Sequence, residues 1–456
     1  MERDTTKNNS QNKELISRGT KLIHYLFGLL LFMLCWDYFL KTNSILIASR
    51  YSLFIYALYA VTVFFLCRTY NAYLIEFQET GDIIFSLSLS SGISTIFIYC
   101  LVLAAWNKYY SPLCFILLII IHIIWNAVWA ICAKKLFYHT NRPMRTAVIY
   151  RNQRDLSRLG EISKFPQRYV VEKYIENPED INTIIEQAAG YEAIFVAGVD
   201  ASLRNGIAKF CVEEDIRGFF LPHIGDIIMS GSQHAQAFSV PIMNLRRVSE
   251  NPEYQIFKRI ADIVLSILII IITSPIMLLV AIAIKFDDGG PVFYRQARLT
   301  RNGKEFRIIK FRSMRTDAES DGMARLSTGS NDDRITRVGR VIRACRLDEL
   351  PQLFNILGGS MTFVGPRPER PEITELYVKD IPAFRLRLQV KAGLTGYAQV
   401  YGKYNTDPYD KLEMDLIYIN KMNPLMDIQL MFATIRILFS KDSTEGISEN
   451  STTAMD

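Results

Sequence analysis

Paired cysteines are missing from this sequence. It contains seven cysteines in 456 residues, and no two of them have the Cys-x-x-Cys spacing of a zinc site. Five lie in apolar segments, whereas Cys211 and Cys345 stand alone. This arrangement argues against both a structural zinc site and a disulfide-stabilised scaffold.

The ends of the sequence also lack a cleavage site and apolar periodicity. No small-residue cleavage site follows the first apolar run, so we expect this run to be an anchor rather than a removable signal peptide. Residues 1–20 are polar and lack apolar periodicity, and residues 442–456 are also polar. We therefore expect a flexible lead at the amino end and a disordered tail at the other end.

Long apolar runs are what the sequence has instead, and half of its residues are hydrophobic. Each of the first four runs approaches the roughly 20 residues that a helix needs to cross a bilayer. The four runs therefore predict a four-helix transmembrane region over residues 21–135. They lie near residues 22–40, 51–67, 83–106 and 112–133.

Lys and Arg are concentrated before the first run and after the fourth, and Arg68 follows the second, whereas the opposite side has only Lys41, Arg50 and Lys108. The positive-inside rule therefore predicts that the amino terminus and everything after residue 134 lie in the cytoplasm.

His122 and Asn126 lie one turn apart within the fourth run. They form either a polar site in the membrane or a hydrogen bond between helices. We favour the hydrogen bond.

Residues 146–250 alternate short apolar runs with helical patterns, which predicts a Rossmann-like α/β module with a largely parallel sheet. The turn after the first predicted strand, residues 151–155, lacks the glycines that let a backbone approach a pyrophosphate. We favour a structural or regulatory module over a nucleotide-binding one. The predicted strands are Thr146–Tyr150, Tyr169–Ile175, Ala193–Val199 and Gly218–Leu221.

A fifth apolar segment, residues 264–285, is broken in its middle by Ser274 and Pro275. Proline removes a backbone donor and opposes a straight helix, and a serine hydroxyl can bond a freed backbone group. Basic residues flank both ends, so both ends favour the cytoplasm. We expect a re-entrant helix that turns at Ser274 and Pro275 and returns to the same face. A proline-kinked spanning helix is the alternative.

An arginine-rich stretch follows this segment. Residues 285–346 contain 15 Lys and Arg against 8 Asp and Glu, an excess suited to phosphates or anionic lipids. Residues 291–315 are typical of strands, and residues 336–346 are typical of a helix with an arginine face and an apolar stripe. The stripe comprises Val338, Val341, Ile342 and Cys345.

Two adjacent carboxylates, Asp348 and Glu349, follow directly. Neighbouring side chains on a helix point about 100 degrees apart, so they do not share one proton as a facing pair would. One suits a nucleophile and the other a ligand for a divalent metal, and nearby guanidinium groups would keep both ionised. Arg367, between two prolines, adds a rigid side chain that can bind phosphate with two hydrogen bonds.

Seven ordered blocks of the sequence resemble the bacterial sugar transferases known as monotopic phosphoglycosyl transferases. The resemblance covers about residues 255–440, and the preceding spans and α/β module resemble the long form of the family. The blocks are Phe257-Lys-Arg-Ile-Ala-Asp262, Ser274-Pro275, Lys310-Phe-Arg-Ser-Met, Asp333-Arg-Ile-Thr-Arg-Val-Gly-Arg340, Leu347-Asp-Glu-Leu-Pro-Gln-Leu353, Val364-Gly-Pro-Arg-Pro-Glu369 and Ala392-Gly-Leu-Thr-Gly-Tyr-Ala-Gln399.

The resemblance implies a two-step reaction. Asp348 would attack the β-phosphate of a UDP-hexose, release UMP and hold a covalent sugar-phosphate, while Glu349 would ligate Mg²⁺. Undecaprenyl phosphate would then accept the sugar-phosphate, which starts an exopolysaccharide, capsule or O-antigen unit. Further residues at family positions, expected to bind phosphates or substrate, are Lys310, Arg312, Arg343, Arg367 and Asp415.

The implied fold combines the four-span α-helical bundle, the Rossmann-like α/β module and an α+β membrane-associated catalytic domain over residues 255–441. The implied location is the bacterial inner membrane, with the catalytic domain facing the cytoplasm. Membrane lipids are expected partners, and nucleic acid is not. A homo-oligomer is a further possible assembly. The sugar is not determined, since Tyr397 stands where the family often has Trp.

Two other functions remain as alternatives. The first is a catalytically inactive membrane scaffold of a polysaccharide assembly complex, although the intact acids and Arg367 argue against it. The second is a multi-span transferase that acts within the bilayer in one direct step, which would place its acids in loops between many spans.

Overall fold

The computed structural model describes residues 2–43, 51–237, 240–245, 247, 252–315, 334–402 and 407–438. The chain divides into two compact units, the amino-terminal unit Met1–Pro222 and the carboxy-terminal unit His223–Asp456. The tail expected over residues 442–456 lies outside the described residues.

Four long helices open the amino-terminal unit. The first begins earlier than expected, because most of the 1–20 segment that we expected to be flexible is helical and continuous with the first apolar run. No proline interrupts this segment, so the helix can propagate outward from the apolar part. The helices are α1 (Glu2–Thr42), α2 (Ser52–Thr69), α3 (Thr80–Trp106) and α4 (Leu113–Thr140).

The four apolar runs predicted from the sequence are therefore confirmed as helices. Each is long and apolar enough to cross a membrane, and so is the later helix Pro252–Asp288. These five helices indicate a membrane-embedded protein.

Polar side chains meet inside the bundle. The Asn126 side-chain oxygen lies 3.0 Å from His24 Nε2, and His122 Nε2 lies 3.1 Å from the Gly28 carbonyl oxygen. Since these contacts join α4 to α1, the prediction that His122 and Asn126 hydrogen-bond between helices is confirmed.

A parallel sheet follows the bundle, and its four strands lie where the sequence predicts them. Helices cover both faces, as a parallel sheet requires. Ile184 and Ile207 pack on one face, and Leu159 and Phe165 pack on the other. The spatial order is β2-β1-β3-β4. The elements are β1 (Met144–Tyr150), α5 (Gln153–Arg158), β2 (Tyr169–Glu176), α6 (Ile181–Ala188), β3 (Ala193–Ala197), α7 (Ala201–Glu213) and β4 (Arg217–Phe220).

The carboxy-terminal unit begins at His223, and Ile227 is buried in its core. The boundary expected at residue 255 for the catalytic domain stays a prediction. Most helices of the carboxy-terminal unit are short and surround that core. Its elements are α8 (Ile224–Ser230), β5 (Gln233–Ala237), β6 (Val240–Asn244), α9 (Pro252–Asp288), β7 (Phe293–Leu299), β8 (Glu305–Phe311), α10 (Arg337–Ala344), α11 (Gln352–Leu357), β9 (Thr362–Val364), α12 (Pro371–Asp380), β10 (Gly393–Thr395), α13 (Tyr397–Tyr401), α14 (Pro408–Lys421) and α15 (Pro424–Leu438).

The last two helices close this core rather than standing apart from it. Leu412, Leu416 and Ile419 of α14 and Leu430 of α15 are fully buried. Strands β7 and β8 pair as an antiparallel hairpin, which confirms the strands expected between residues 291 and 315.

Helix α9 contains Pro275 and continues through it. Proline leaves the carbonyl four residues earlier without its usual donor. The Ser274 hydroxyl donates to this carbonyl, that of Ile271, at 2.9 Å. The serine thus satisfies the backbone group that the proline frees, as predicted.

Candidate active site

The two acids lie on a tight turn rather than on a helix. Helix α10 ends at Ala344, and Arg346 adopts a left-handed conformation with φ 53°. The 3₁₀ turn Leu347–Glu349 follows, and α11 begins just beyond it. A left-handed residue after a helix redirects the chain. Arg346 therefore sets the direction of the turn that carries both carboxylates.

Helix α10 is held firmly at its start. The Thr336 hydroxyl accepts a hydrogen bond from Gly339 N at 2.9 Å, a typical amino-terminal cap. A Cβ at Gly339 would lie 2.0 Å from the Ser313 carbonyl oxygen. Only glycine fits there, because α10 packs closely against the segment that follows β8.

The apolar stripe predicted for α10 is only partly correct. Ile342 is buried and Val338 packs with it, whereas Val341 is 63% exposed and Cys345 is also exposed. The helix has only two turns and one neighbouring core, so it buries a narrower face than the pattern indicates.

Glu349 is bound by two cations that come from different elements. Lys310 Nζ, on β8, lies 3.0 Å from Glu349 Oε1, and Arg367 NH2, on the loop after β9, lies 2.9 Å from the same oxygen. The Glu349 side chain is 17% exposed. The structure therefore joins three of the predicted site residues directly.

The charge state of Glu349 follows from these contacts. Burial alone raises the pKa of Glu349, but the charges and hydrogen bonds of Lys310 and Arg367 outweigh it and hold the pKa well below its usual range. Glu349 is therefore ionised throughout the physiological pH range.

Asp348 differs from its neighbour. Burial raises the pKa of Asp348, and the charge of Glu349 acts in the same direction. The charges of Lys310, Arg343 and Arg367 lower it without cancelling the effect of burial. The prediction that nearby guanidinium groups keep both acids ionised is therefore supported for Glu349 and stays a prediction for Asp348. A role of Arg343 in binding phosphate stays a prediction.

Arg312 has other partners. Its guanidinium pairs with both carboxylate oxygens of Asp288, and its Nε donates to the Pro291 carbonyl at 2.6 Å. The side chain is buried. These contacts fasten the end of α9 to the segment after β8, and binding of phosphate by Arg312 stays a prediction.

Asp415 is likewise engaged inside the domain. Its Oδ2 accepts hydrogen bonds from Arg387 Nε at 2.9 Å and from Arg387 NH2 at 2.7 Å, and both residues are buried. Direct contact of Asp415 with substrate stays a prediction.

The residues present fit a Mg²⁺ ion shared with a substrate. Within the described ranges, no group of three or more His, Cys, Asp or Glu side chains could hold a metal. Mg²⁺ is commonly held by only one or two carboxylates together with phosphate oxygens. Both cations bind Glu349 through Oε1, so the adjacent Oε2 and Asp348 supply such a set.

Comparison of the sequence with known proteins shows which family this chain belongs to. Residues 253–441 match the family model described as bacterial sugar transferase. The exopolysaccharide production protein PSS of Rhizobium leguminosarum bv. phaseoli is 38% identical over 189 residues, which are 40% of this chain and 94% of that protein. The chain belongs to the bacterial sugar transferase family.

Two further relatives each match less than half of this chain. A UDP-glucose:undecaprenyl-phosphate glucose-1-phosphate transferase of Klebsiella pneumoniae is 39% identical over 47% of this chain and 47% of its own length. A UDP-N-acetylgalactosamine-undecaprenyl-phosphate N-acetylgalactosaminephosphotransferase of Aeromonas hydrophila is 40% identical over 42% of this chain and 45% of its own length. This chain therefore spans about half the length of each of these two relatives.

Sequence reasoning missed the buried charges behind the site, above all Arg387. The segment around it also contains Arg385, which is exposed, while Arg387 is buried. Both arginines alternate with apolar residues, so the pattern alone does not separate them. The only available signal was Glu369, inside a family block but given no role.

Proposed function

We propose that this protein transfers a hexose-1-phosphate from a UDP-hexose to undecaprenyl phosphate through a covalent Asp348 intermediate. The observation that carries the proposal is the turn that places two acids with different surroundings side by side. Glu349 is fixed as an anion between Lys310 and Arg367, while the pKa of adjacent Asp348 is raised by burial. A more basic carboxylate is a better nucleophile, and cations beside it attract phosphate.

In the first step a carboxylate oxygen of Asp348 forms a bond to the β-phosphorus of the donor. The bond between this phosphorus and the oxygen that bridges to the α-phosphate breaks, and its electron pair leaves with UMP. In the second step a phosphate oxygen of undecaprenyl phosphate attacks the same phosphorus. The acyl-phosphate bond breaks, which regenerates Asp348 and gives the lipid-linked diphosphate sugar.

Lys310, Arg343 and Arg367 surround the acids, so they would orient the diphosphate and stabilise the charge that moves toward the leaving group. Glu349 would hold Mg²⁺ together with phosphate oxygens. When bound, the ion neutralises phosphate charge and makes UMP a better leaving group.

The lipid acceptor requires a site at the membrane surface, and helix α9 supports one. We propose that α9 is re-entrant, with its two ends on the cytoplasmic face of the inner membrane. Basic residues flank both ends of its apolar stretch. Large apolar side chains of its middle, such as Ile271, Ile272 and Leu279, are exposed and suited to lipid.

The contacts of α9 support a bend. Near its start, Arg259 donates to the carbonyls of Ile356 and Leu357, both at 2.7 Å. At its end, Asp288 pairs with Arg312 of the segment after β8. A straight helix would separate Arg259 from Asp288 by about 43 Å.

The partners of the two ends are much closer together than that. Asn355, beside Ile356, accepts a hydrogen bond from Ile309 N at 2.9 Å. Ile309 lies only three residues before Arg312, a separation of about 10 Å along a strand. A bend at Ser274 and Pro275 would bring both ends of α9 to these partners.

The parallel sheet of the amino-terminal unit supports our assignment of a Rossmann-like module. Its order β2-β1-β3-β4 corresponds to the first four strands of the doubly wound 2-1-3-4-5 arrangement. We propose a structural or regulatory role for it.

Intact-protein mass spectrometry tests the reaction. Purified protein is mixed with Mg²⁺ and with UDP-glucose, UDP-galactose or UDP-N-acetylgalactosamine, without lipid acceptor. We expect a sugar-phosphate adduct that disappears on addition of undecaprenyl phosphate and is absent from the Asp348→Asn variant.

The outcomes separate the alternatives. Normal turnover in Asp348→Asn would remove the proposed nucleophile. Release of UMP only when the lipid is present, with no adduct, would favour one direct step. No adduct and no UMP with any donor would favour the inactive scaffold.

Labelling from either side of the membrane tests the bend. Ile256 and Phe286, near the two ends of α9, are 62% and 88% exposed. In a background without native cysteines, we expect Ile256→Cys and Phe286→Cys to react with an impermeant maleimide from the cytoplasmic face only. Reaction of the two positions from opposite faces would establish a spanning helix.

A further inference from the structure

The loop that carries Arg367, residues 364–369, is held through its backbone carbonyls. Five of the six carbonyls accept hydrogen bonds from outside the loop. The bonds are Lys258 Nζ to Val364 O (2.8 Å), Gly393 N to Pro366 O (2.9 Å), Arg387 NH2 to Arg367 O (2.9 Å), Arg298 NH1 to Pro368 O (3.0 Å) and Leu299 N to Glu369 O (3.0 Å).

The bond from Arg387 differs from the other four because it reaches the residue whose side chain binds Glu349. Arg387 is only 3% exposed, and it has no place in the chemistry proposed above. Its NH2 group donates both to Arg367 O and to Asp415 Oδ2. One buried guanidinium thus joins α14 to the backbone of the Arg367 loop.

The surrounding charges hold Arg387 in this orientation. Asp415 binds its Nε and NH2, and Glu369 Oε1 lies 3.6 Å from its NH1. Lys411 pairs with the same Glu369 oxygen. A buried cation is stable only when it is compensated in this way.

We propose that Arg387 is a positioning residue that fixes the backbone of Arg367, so that the Arg367 guanidinium stays on Glu349 and on the phosphate of the donor. This inference rests on the proposed transferase function. Arg387 does not touch the substrate, and it acts only through Arg367. Asp415 contributes to the same positioning, since it binds and orients Arg387.

The geometry requires arginine at this position. A guanidinium donates in several fixed directions within one plane, whereas an ammonium is a single point of charge. Lysine at position 387 would retain the ion pair with Asp415 and lose the second, directed bond to Arg367 O. Arg387→Lys therefore removes the positioning bond while it leaves the buried charge compensated.

Kinetics of UMP release from a double-mutant cycle test the proposal. We expect Arg387→Lys to lower kcat on the order of 100-fold with a smaller change in KM, because a displaced catalytic group loses transition-state contacts. In an Arg367→Lys background, the same change should lower kcat less than about 3-fold, since the two residues act as one unit. The matched control is Arg385→Lys, an exposed arginine on the same segment, which should leave kcat unchanged.

An equal loss of kcat in both backgrounds would overturn the proposal, because a purely structural defect acts independently of Arg367. Where Arg387→Lys folds poorly, the pair Arg387→Gln with Asp415→Asn serves instead, since it leaves neither charge unpaired. We expect the same dependence on Arg367 from this pair.

Hydrogen exchange provides a test that needs no activity. The Gly393 amide donates to Pro366 O beside Arg367, and its exchange reports opening of the loop. We expect this amide to exchange at least about tenfold faster in Arg387→Lys and unchanged in Arg385→Lys. Unchanged exchange in Arg387→Lys would overturn the inference. Absence of UMP release by the unmodified protein would instead count against the proposed function, and the exchange result would still decide on the loop.

Discussion

The bundle α1–α4 and the candidate active site both bury polar side chains, but they satisfy them differently. In the bundle, Asn126 contacts His24 at 3.0 Å and donates to the Ser88 hydroxyl at 3.2 Å. Ser90 and Ser94 donate to carbonyls one turn earlier, at 2.7 and 2.9 Å. Most of these groups are amides, hydroxyls and carbonyls, and no carboxylate takes part in the contacts named.

The active site uses full charges instead. Glu349 binds Lys310 and Arg367, and the Arg387–Asp415 pair lies behind that loop. A buried charge costs far more than a buried amide unless it is paired. The comparison teaches that the carboxy-terminal unit offsets this cost by pairing its buried charges, whereas the bundle buries mainly uncharged groups that join its helices.

The largest effect should come from the charge at the centre of the site. We expect Glu349→Gln to lower turnover on the order of 100-fold or more, or to raise the Mg²⁺ concentration that is needed, because an amide oxygen is a weaker metal ligand. The measurement is UMP release against Mg²⁺ concentration. Glu305→Gln, at an exposed position of β8, is the control, and an unchanged metal dependence in Glu349→Gln would reject the role.

A buried ion pair away from the acids should affect the stability of the carboxy-terminal unit. Lys258 lies 2.7 Å from Asp427, so Lys258→Met leaves a buried carboxylate without its cation. We expect the free energy of unfolding to fall by about 3 kcal/mol or more, measured in detergent micelles.

The double variant Lys258→Met with Asp427→Asn should recover part of that loss, because it leaves no unpaired charge. Lys421→Met, at an exposed position of α14, should change little. Equal stability of Lys258→Met and the unmodified protein would show that the pair contributes nothing net.

Acid should gradually lower the free energy of unfolding of the carboxy-terminal unit. Burial alone raises the pKa of Glu369, but Lys411, Arg387 and Arg298 outweigh it and lower the pKa to about 2 from an ordinary 4.5. The stability from this ionised group is therefore complete above pH 4.5 and is lost as the pH falls toward 2.

Unfolding midpoints at pH 6 and pH 3 check this expectation. The difference between the unmodified protein and Glu369→Gln should be larger at pH 6 than at pH 3. A constant difference would mean that Glu369 does not titrate in this range.

The smallest effect should come from the bundle. Asn126→Leu removes an uncharged hydrogen bond between helices, which costs about 1 kcal/mol in membrane proteins. The thermal midpoint of unfolding in micelles measures the loss. Ile123→Leu, at an exposed position of the same helix, is the control. A loss as large as that of Lys258→Met would show that the two regions do not differ in this respect.

The sequence by itself determined most helices and strands of this protein and predicted the chemistry of its site. The spanning helices, the four strands of the sheet and the β7–β8 hairpin follow from hydrophobic periodicity, which is a local property of the chain. The role of Ser274 at Pro275 also followed from two neighbouring residues. Asp348, Glu349 and Arg367 were predicted as site residues because their residue types stand in short blocks.

Only the tertiary structure decided which charges meet. Arg312 and Arg367 are both arginines in family blocks, yet one pairs with Asp288 and the other with Glu349. Arg385 and Arg387 share one segment, yet only Arg387 is buried. Pairing of distant charges depends on burial and on direction in space, and neither is set by the local pattern of residues.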